Sequence, residues 1–175
     1  MAKIDEIYNA VDDFGLITSA EAAQLGMSNA ELVQQADKGR LVRVGRGVYR
    51  MPIWPFQKEA PYAIAVKSAG EGALLYGESV VALLGLAPTD PSKMWIGVSK
   101  RTRRDLGSGV TLVQVKNANP VWLEGIPCQP VAEAIDYAVV SMGWDRAMQA
   151  AEEALRQGYI SECDKANLEK KRSGL

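Results

Sequence analysis

Histidine is absent from the 175 residues, and cysteine occurs only twice, at Cys128 and Cys163. Without imidazole there is no Ser-His-Asp triad, no Cys-His pair and no HExxH zinc helix, so any catalysis would fall to carboxylates, Lys, Tyr or Ser. The two cysteines have no CxxC spacing, which supports neither a zinc ribbon nor a redox motif; both read as reduced, mostly buried thiols. No apolar run approaches the ~18 residues of a membrane span, and the opening MAKIDEIYNAVDDF lacks the hydrophobic centre of a secretion signal. A GxxxxGK[ST] loop is missing, and Gly45-Arg-Gly47 and Gly107-Ser-Gly109 lack the third glycine of a dinucleotide fingerprint. Glu133 and Asp136 can share a helix face at i and i+3, but with no third acid nearby they read as solvated surface acids. The four tryptophans are scattered and read as core or interface anchors. The expectation is a cytoplasmic protein that is not an enzyme, with no cofactor and no metal.

What is present begins with a packed core: 47% of the residues are hydrophobic and 23% charged, within the range of globular chains. The first 51 residues carry clear helix punctuation. Ile4, Ile7, Tyr8 and Val11 recur at helical spacing, which predicts an amphipathic helix ending near Phe14 and Gly15. Thr18-Ser-Ala-Glu21 is a capping box that opens a short helix over 20–25, and Ser28-Asn-Ala-Glu31 is a second that opens a helix running to about Lys38. Met27 and Leu32 occupy the positions of a hydrophobic staple at the head of that third helix. Two β-rich runs, 41–44 and 48–51, flank a Gly-Arg-Gly tip and predict a hairpin. Three helices and a hairpin make a winged helix-turn-helix. Pro52-Ile-Trp-Pro55 reads as a stiff extended connector.

Beyond it, helices are expected near 62–69 and 78–85, and strands over 93–98 and 110–115 that pair across the turn-rich stretch from Lys100 to Gly109. A third short strand is expected within 121–126, then helices over 131–142, 144–157 and 162–171. The fold class is therefore α+β, with a winged helix-turn-helix over 1–54 and an α+β domain over 55–175 that has a small antiparallel sheet and a helical C-terminus.

The near-neutral total, 20 Lys and Arg against 21 Asp and Glu, conceals a segregation. Lys38, Arg40, Arg43, Arg46 and Arg50 follow one another without an intervening acid, placing cations on the end of the third helix and on the hairpin, where they can neutralise DNA phosphates. On a helical wheel of about 100° per residue, Leu32, Val33 and Ala36 form the inward face and Ala30, Glu31, Gln34 and Lys38 lie opposite, with Gln35 at the edge. Gln can pair with adenine and Ala can pack on a thymine methyl, and the helix start at Ser28 and Asn29 can receive a phosphate. The candidate DNA-contacting set is Ser28, Asn29, Ala30, Glu31, Gln34, Gln35, Lys38, Arg43, Arg46 and Arg50. The competing reading is a solvated basic loop and an ordinary exposed helix face. A second basic cluster, Lys100, Arg101, Arg103 and Arg104, is either a nucleic-acid or partner patch or a solvated hairpin tip. The C-terminal helices carry the excess of acid.

Gly15-Leu-Ile-Thr18, Ser19-Ala-Glu-Ala-Ala23, Leu41-Val-Arg-Val-Gly-Arg-Gly-Val-Tyr-Arg50, Ala73-Leu-Leu-Tyr-Gly-Glu-Ser79, Ala82-Leu-Leu-Gly-Leu86 and Glu124-Gly-Ile-Pro127 together resemble the AbiEi-type antitoxins of bacterial type IV toxin-antitoxin and abortive-infection systems. The resemblance implies a winged helix that represses its own operon by binding inverted repeats in double-stranded DNA. It also implies a C-terminal domain that counteracts a nucleotidyltransferase-like toxin. By position, Gln34, Lys38, Arg43 and Arg46 would carry the DNA contact. A stand-alone regulator, whose second domain serves dimerisation or effector binding, is the alternative. The oligomeric state is open, and no membrane association is expected.

Overall fold

The structure, a computed structural model, describes residues 2–90 and 92–174. Its residues separate into two compact units, the first running to Glu71 and the second starting at Gly72.

In the first unit the order is α1 (Lys3–Ala10), β1 (Leu16–Thr18), α2 (Ser19–Gln24), α3 (Asn29–Asp37), β2 (Val42–Gly45), β3 (Val48–Arg50) and α4 (Ala60–Ala69). Both expected capping boxes close. Glu21 N donates to Thr18 Oγ1 while Thr18 N donates to the Glu21 carboxylate, and Glu31 N and Ser28 N repeat the exchange at the head of α3. Met27 and Leu32, the staple pair, are buried in one cluster with Ile7, Ile17, Ala22, Leu41 and Tyr49. The first helix ends at Ala10, earlier than its apolar spacing suggests, because Val11 turns extended and Asp12 Oδ1 accepts from the N–H groups of Phe14 and Leu16. That turn delivers β1, a strand the sequence reading misses.

The three strands form an antiparallel sheet in the order β1-β3-β2, with Ile17 opposite Tyr49 and Arg43 opposite Tyr49. Alternation along β3 sends Tyr49 into the helical core, while Val48 and Arg50 take the other face with Leu16 and Thr18. Against that second face lies α4, packed on all three strands. An added Cβ on Gly45 would stand 2.4 Å from Ser68 Oγ and 3.1 Å from Ile64 Cγ2, so strand and helix meet there without room for a side chain. The first unit thus extends beyond the expected boundary at 54. The connector is also anchored rather than free: Trp54 Nε1 and Gln57 Nε2 both donate to the Asp13 carbonyl at 3.2 Å.

The second unit comprises β4 (Leu74–Leu75), α5 (Glu78–Leu84), β5 (Met94–Val98), β6 (Val110–Gln114), β7 (Val121–Leu123), β8 (Ile126–Cys128), α6 (Val131–Gln157) and α7 (Glu162–Arg172). Helix α6 is broken at Gly143 (φ 79°, ψ 162°), where the sequence separates two helices. The five strands order as β6-β5-β4-β8-β7. Here the expectation of a small antiparallel sheet is corrected. β5 and β6 run parallel, Met94 opposite Val110 through Val98 opposite Gln114, and β4 and β8 are also parallel. Residues 99–109 therefore form a crossover instead of a hairpin, and their length suits a connection between parallel neighbours, which needs about a dozen residues. The expected single strand within 121–126 is instead a hairpin, β7 against β8, turning at Glu124 and Gly125. α5 and α7 both pack on α6, whose buried alanines (Ala134, Ala138, Ala147, Ala150, Ala151, Ala154) allow close helix approach.

Candidate nucleic-acid interface

The start of α3 is fixed by its cap and by an ion pair that sequence spacing does not reveal. Lys3 Nζ lies 2.8 Å from Glu31 Oε1. This ammonium, then the Ser28 backbone N–H and hydroxyl, pulls the Glu31 carboxyl down to about 2. Ser28 and Glu31, both in the candidate set, are therefore committed to holding the helix. An ionised carboxylate already sits on the Ser28 N–H, so the N–H groups of Asn29 and Ala30, which lack intrahelical partners, are the donors left at that end for a phosphate.

Along α3 the exposed residues are Asn29, Ala30, Val33, Gln34, Asp37 and Lys38, while Leu32 is fully buried and Glu31, Gln35 and Ala36 are half-buried. Successive steps of about 100° place those six in one continuous half of the wheel. Val33, expected on the inward face, is 46% exposed: Leu32 and Ala36 supply the core contact, and Val33 lies outside that cluster. Gln35 leaves the set facing solvent, since its side-chain oxygen accepts from Arg40 Nη1 at 3.5 Å; the Arg40 carbonyl in turn accepts from Tyr8 Oη at 2.7 Å.

The hairpin turns at Arg46 and Gly47, with a register shift between Arg43 and Gly45 on the β2 side. Arg43 and Arg46 are exposed. The tip is held by Ser19 N, which donates to the Gly47 carbonyl at 2.8 Å at the start of α2. Arg50 is different. It belongs to the central strand, is half-buried, points toward the α4 side, and its Nε is enclosed without a hydrogen-bond partner. Of the ten candidates, the structure leaves Asn29, Ala30, Gln34 and Lys38 on the free arc of α3 and Arg43 and Arg46 on the hairpin. Val33, Asp37 and Lys3 join them. Lys67 of α4 bridges two acids of the unit, 3.3 Å from Asp12 and 3.6 Å from Glu21 of the α2 capping box.

In the second unit Lys100, Arg101, Arg103 and Arg104 are exposed on the crossover, so their reading as a hairpin tip falls away. The Tyr76-Gly-Glu-Ser79 segment is structural. Gly77 N donates to Gln129 Oε1 at 2.9 Å, Ser79 Oγ accepts from Trp95 N at 2.7 Å, and the buried Glu78 carboxylate accepts from Asp90 N at 3.0 Å. Tyr137 meets Tyr76 edge-on at 4.6 Å, and burial, then Tyr137, pushes the Tyr76 phenol upward. Asp136 pairs with Lys171 rather than with Glu133. Burial pushes the Cys128 thiol up to about 12, whereas Cys163, expected to be buried, is exposed in the first turn of α7. Among the described residues no group of three or more acids and cysteines could hold a metal ion, and no helix is long and apolar enough to cross a membrane.

No curated protein matches the chain. Residues 6–52 match the family of transcriptional regulators described as AbiEi antitoxin, a span that holds β1–β3, the free arc of α3 and the basic hairpin, and over this span the resemblance read from the sequence is borne out.

Proposed function

We propose that the first unit is a winged helix-turn-helix that binds double-stranded DNA, with α3 as the reading helix and the β2–β3 hairpin as the wing. The carrying observation is the exposure of Lys38, Arg43 and Arg46 in one unit with the exposed arc of α3 that holds Asn29, Ala30, Val33, Gln34 and Asp37, with no acid between Lys38 and Arg50. The family match over the same residues supports it. Cations on a hairpin contact phosphates and set register, while a helix face of Asn29, Ala30 and Gln34 meets base edges in the major groove. On this reading the protein is a transcriptional autorepressor acting on inverted repeats, and an antitoxin of a type IV toxin-antitoxin system. The second unit would then counteract a nucleotidyltransferase-like toxin, with the basic crossover at Lys100, Arg101, Arg103 and Arg104 as a second contact patch for partner or nucleic acid.

The test is a gel shift on DNA from upstream of the gene itself. Affinity should fall steeply with salt, and an Arg43→Ala, Arg46→Ala double variant should bind more weakly, with the log-log salt slope reduced by ~2. Unchanged affinity and slope would remove the hairpin from the interface. The antitoxin half is separable: residues 72–175 should rescue growth of cells expressing the neighbouring toxin gene. Failure to rescue, alongside intact promoter binding, favours a stand-alone regulator.

A further inference from the structure

Ala30 and Val33 form an apolar spot within an otherwise polar arc. On the wheel of about 100° per residue, Asn29 borders it on one side and Gln34 and Lys38 on the other, Asp37 follows one turn further along the same stripe, and Leu32, fully buried one position before Val33, supplies the core contact for this turn of α3. Val33, at 46% exposed, lies outside the core cluster and outside the side chains packed against it. β-branching also makes it a poorer helix former than alanine, so neither packing nor propensity accounts for it here. In the major groove the only apolar group a base edge presents is the C5-methyl of thymine. Next to the spot Gln34 carries the amide that pairs with the N6 and N7 atoms of adenine.

We propose that Val33, with Ala30 beside it, is a specificity-determining residue that packs on a thymine methyl, so that the site under α3 contains a thymine it requires. This rests on the DNA-binding reading above and goes beyond it by naming the base and the atom read.

The experiment uses the full chain and the promoter fragment, with each thymine replaced in turn by deoxyuridine, which removes only the methyl. At one or two positions per half-site the wild-type chain should bind about fourfold more weakly, the effect of uncovering one methyl-sized group. Val33→Ala should bind the unmodified fragment more weakly and show no further loss on the uracil fragment. Gln34→Ala, weakened overall, should keep its sensitivity to uracil at that position. Because Val33 is exposed, Val33→Ala should melt with the wild-type chain, and that measurement accompanies the titrations. Specific, salt-dependent binding without any uracil-sensitive position, or with sensitivity retained in Val33→Ala, overturns the methyl contact and leaves DNA binding standing. No binding to any promoter fragment overturns both.

Discussion

Gly15 sits where α1 gives way to β1, and replacing it with alanine tests how the connector is held. Its φ is +70°, and an ideal Cβ there would stand 2.4 Å from Trp54 Cδ2 and 2.7 Å from Cγ. Two costs combine. A left-handed conformation in a residue with a Cβ costs about 1–2 kcal/mol. Pushing the indole aside also loses the Trp54 Nε1 hydrogen bond to the Asp13 carbonyl and part of the ring's burial, about 1–2 kcal/mol together. Gly15→Ala should therefore destabilise the first unit by about 2–4 kcal/mol. The assay is urea denaturation of a fragment ending at Glu71, followed by circular dichroism. Trp54 is the fragment's sole tryptophan, so its emission should shift red in Gly15→Ala as the ring becomes wet. In a Trp54→Ala background the same substitution should cost only the backbone component, about 1–2 kcal/mol. Equal costs in the two backgrounds would refute the steric wedge between Gly15 and Trp54.

Three further outcomes are expected. A fragment ending at 54 should fail to fold cooperatively while one ending at 71 melts as a unit, because α4 covers the Leu16 and Val48 face of the sheet; equal melting of the two would refute that role. Glu31 is held at about 2 against an ordinary 4.5. Its folded value is lowered, so its contribution to stability is complete above 4.5 and lost as pH falls toward 2. Carboxyl 13C titration should give a folded-state midpoint near 2 that rises on Lys3→Ala, and a midpoint near 4.5 in the wild-type chain would contradict the ion pair. Glu124 holds φ 51° ahead of Gly125 at 75°, a turn that favours Asn-Gly. Glu124→Asn should stabilise the second unit by about 0.5–1 kcal/mol in thermal melts; a loss of stability would argue against the turn type.

Local chemistry explains what was legible in the sequence. A capping box, a staple and a Gly-Arg-Gly tip each act within about five residues, so α2, α3 and the β2–β3 hairpin stand out directly. β1 does not, since Leu16–Thr18 owes its extended form to partners in Val48–Arg50. Nor does the parallel pairing of β5 and β6, though a clue was available: hairpin loops usually span 2–5 residues, and 99–109 is too long for that habit. For Val33 and Arg50, helix geometry and strand topology decide what composition alone does not. Val33 is apolar like Leu32, yet about 100° of helix separates them, and Arg50 shares the charge of the hairpin cations, yet it lies on the central strand. Lys3 had no local signal, being 28 positions from Glu31.

The small sheet of the first unit is covered on both faces, by the helical cluster through Ile17 and Tyr49 and by α4 through Leu16 and Val48. A hairpin backed in this way, with its tip tied to Ser19, is ordered before it meets anything. Whatever docks there pays no backbone entropy for the strands; only the rotamers of Arg43 and Arg46 remain to be immobilised, at about 0.5–1.5 kcal/mol each.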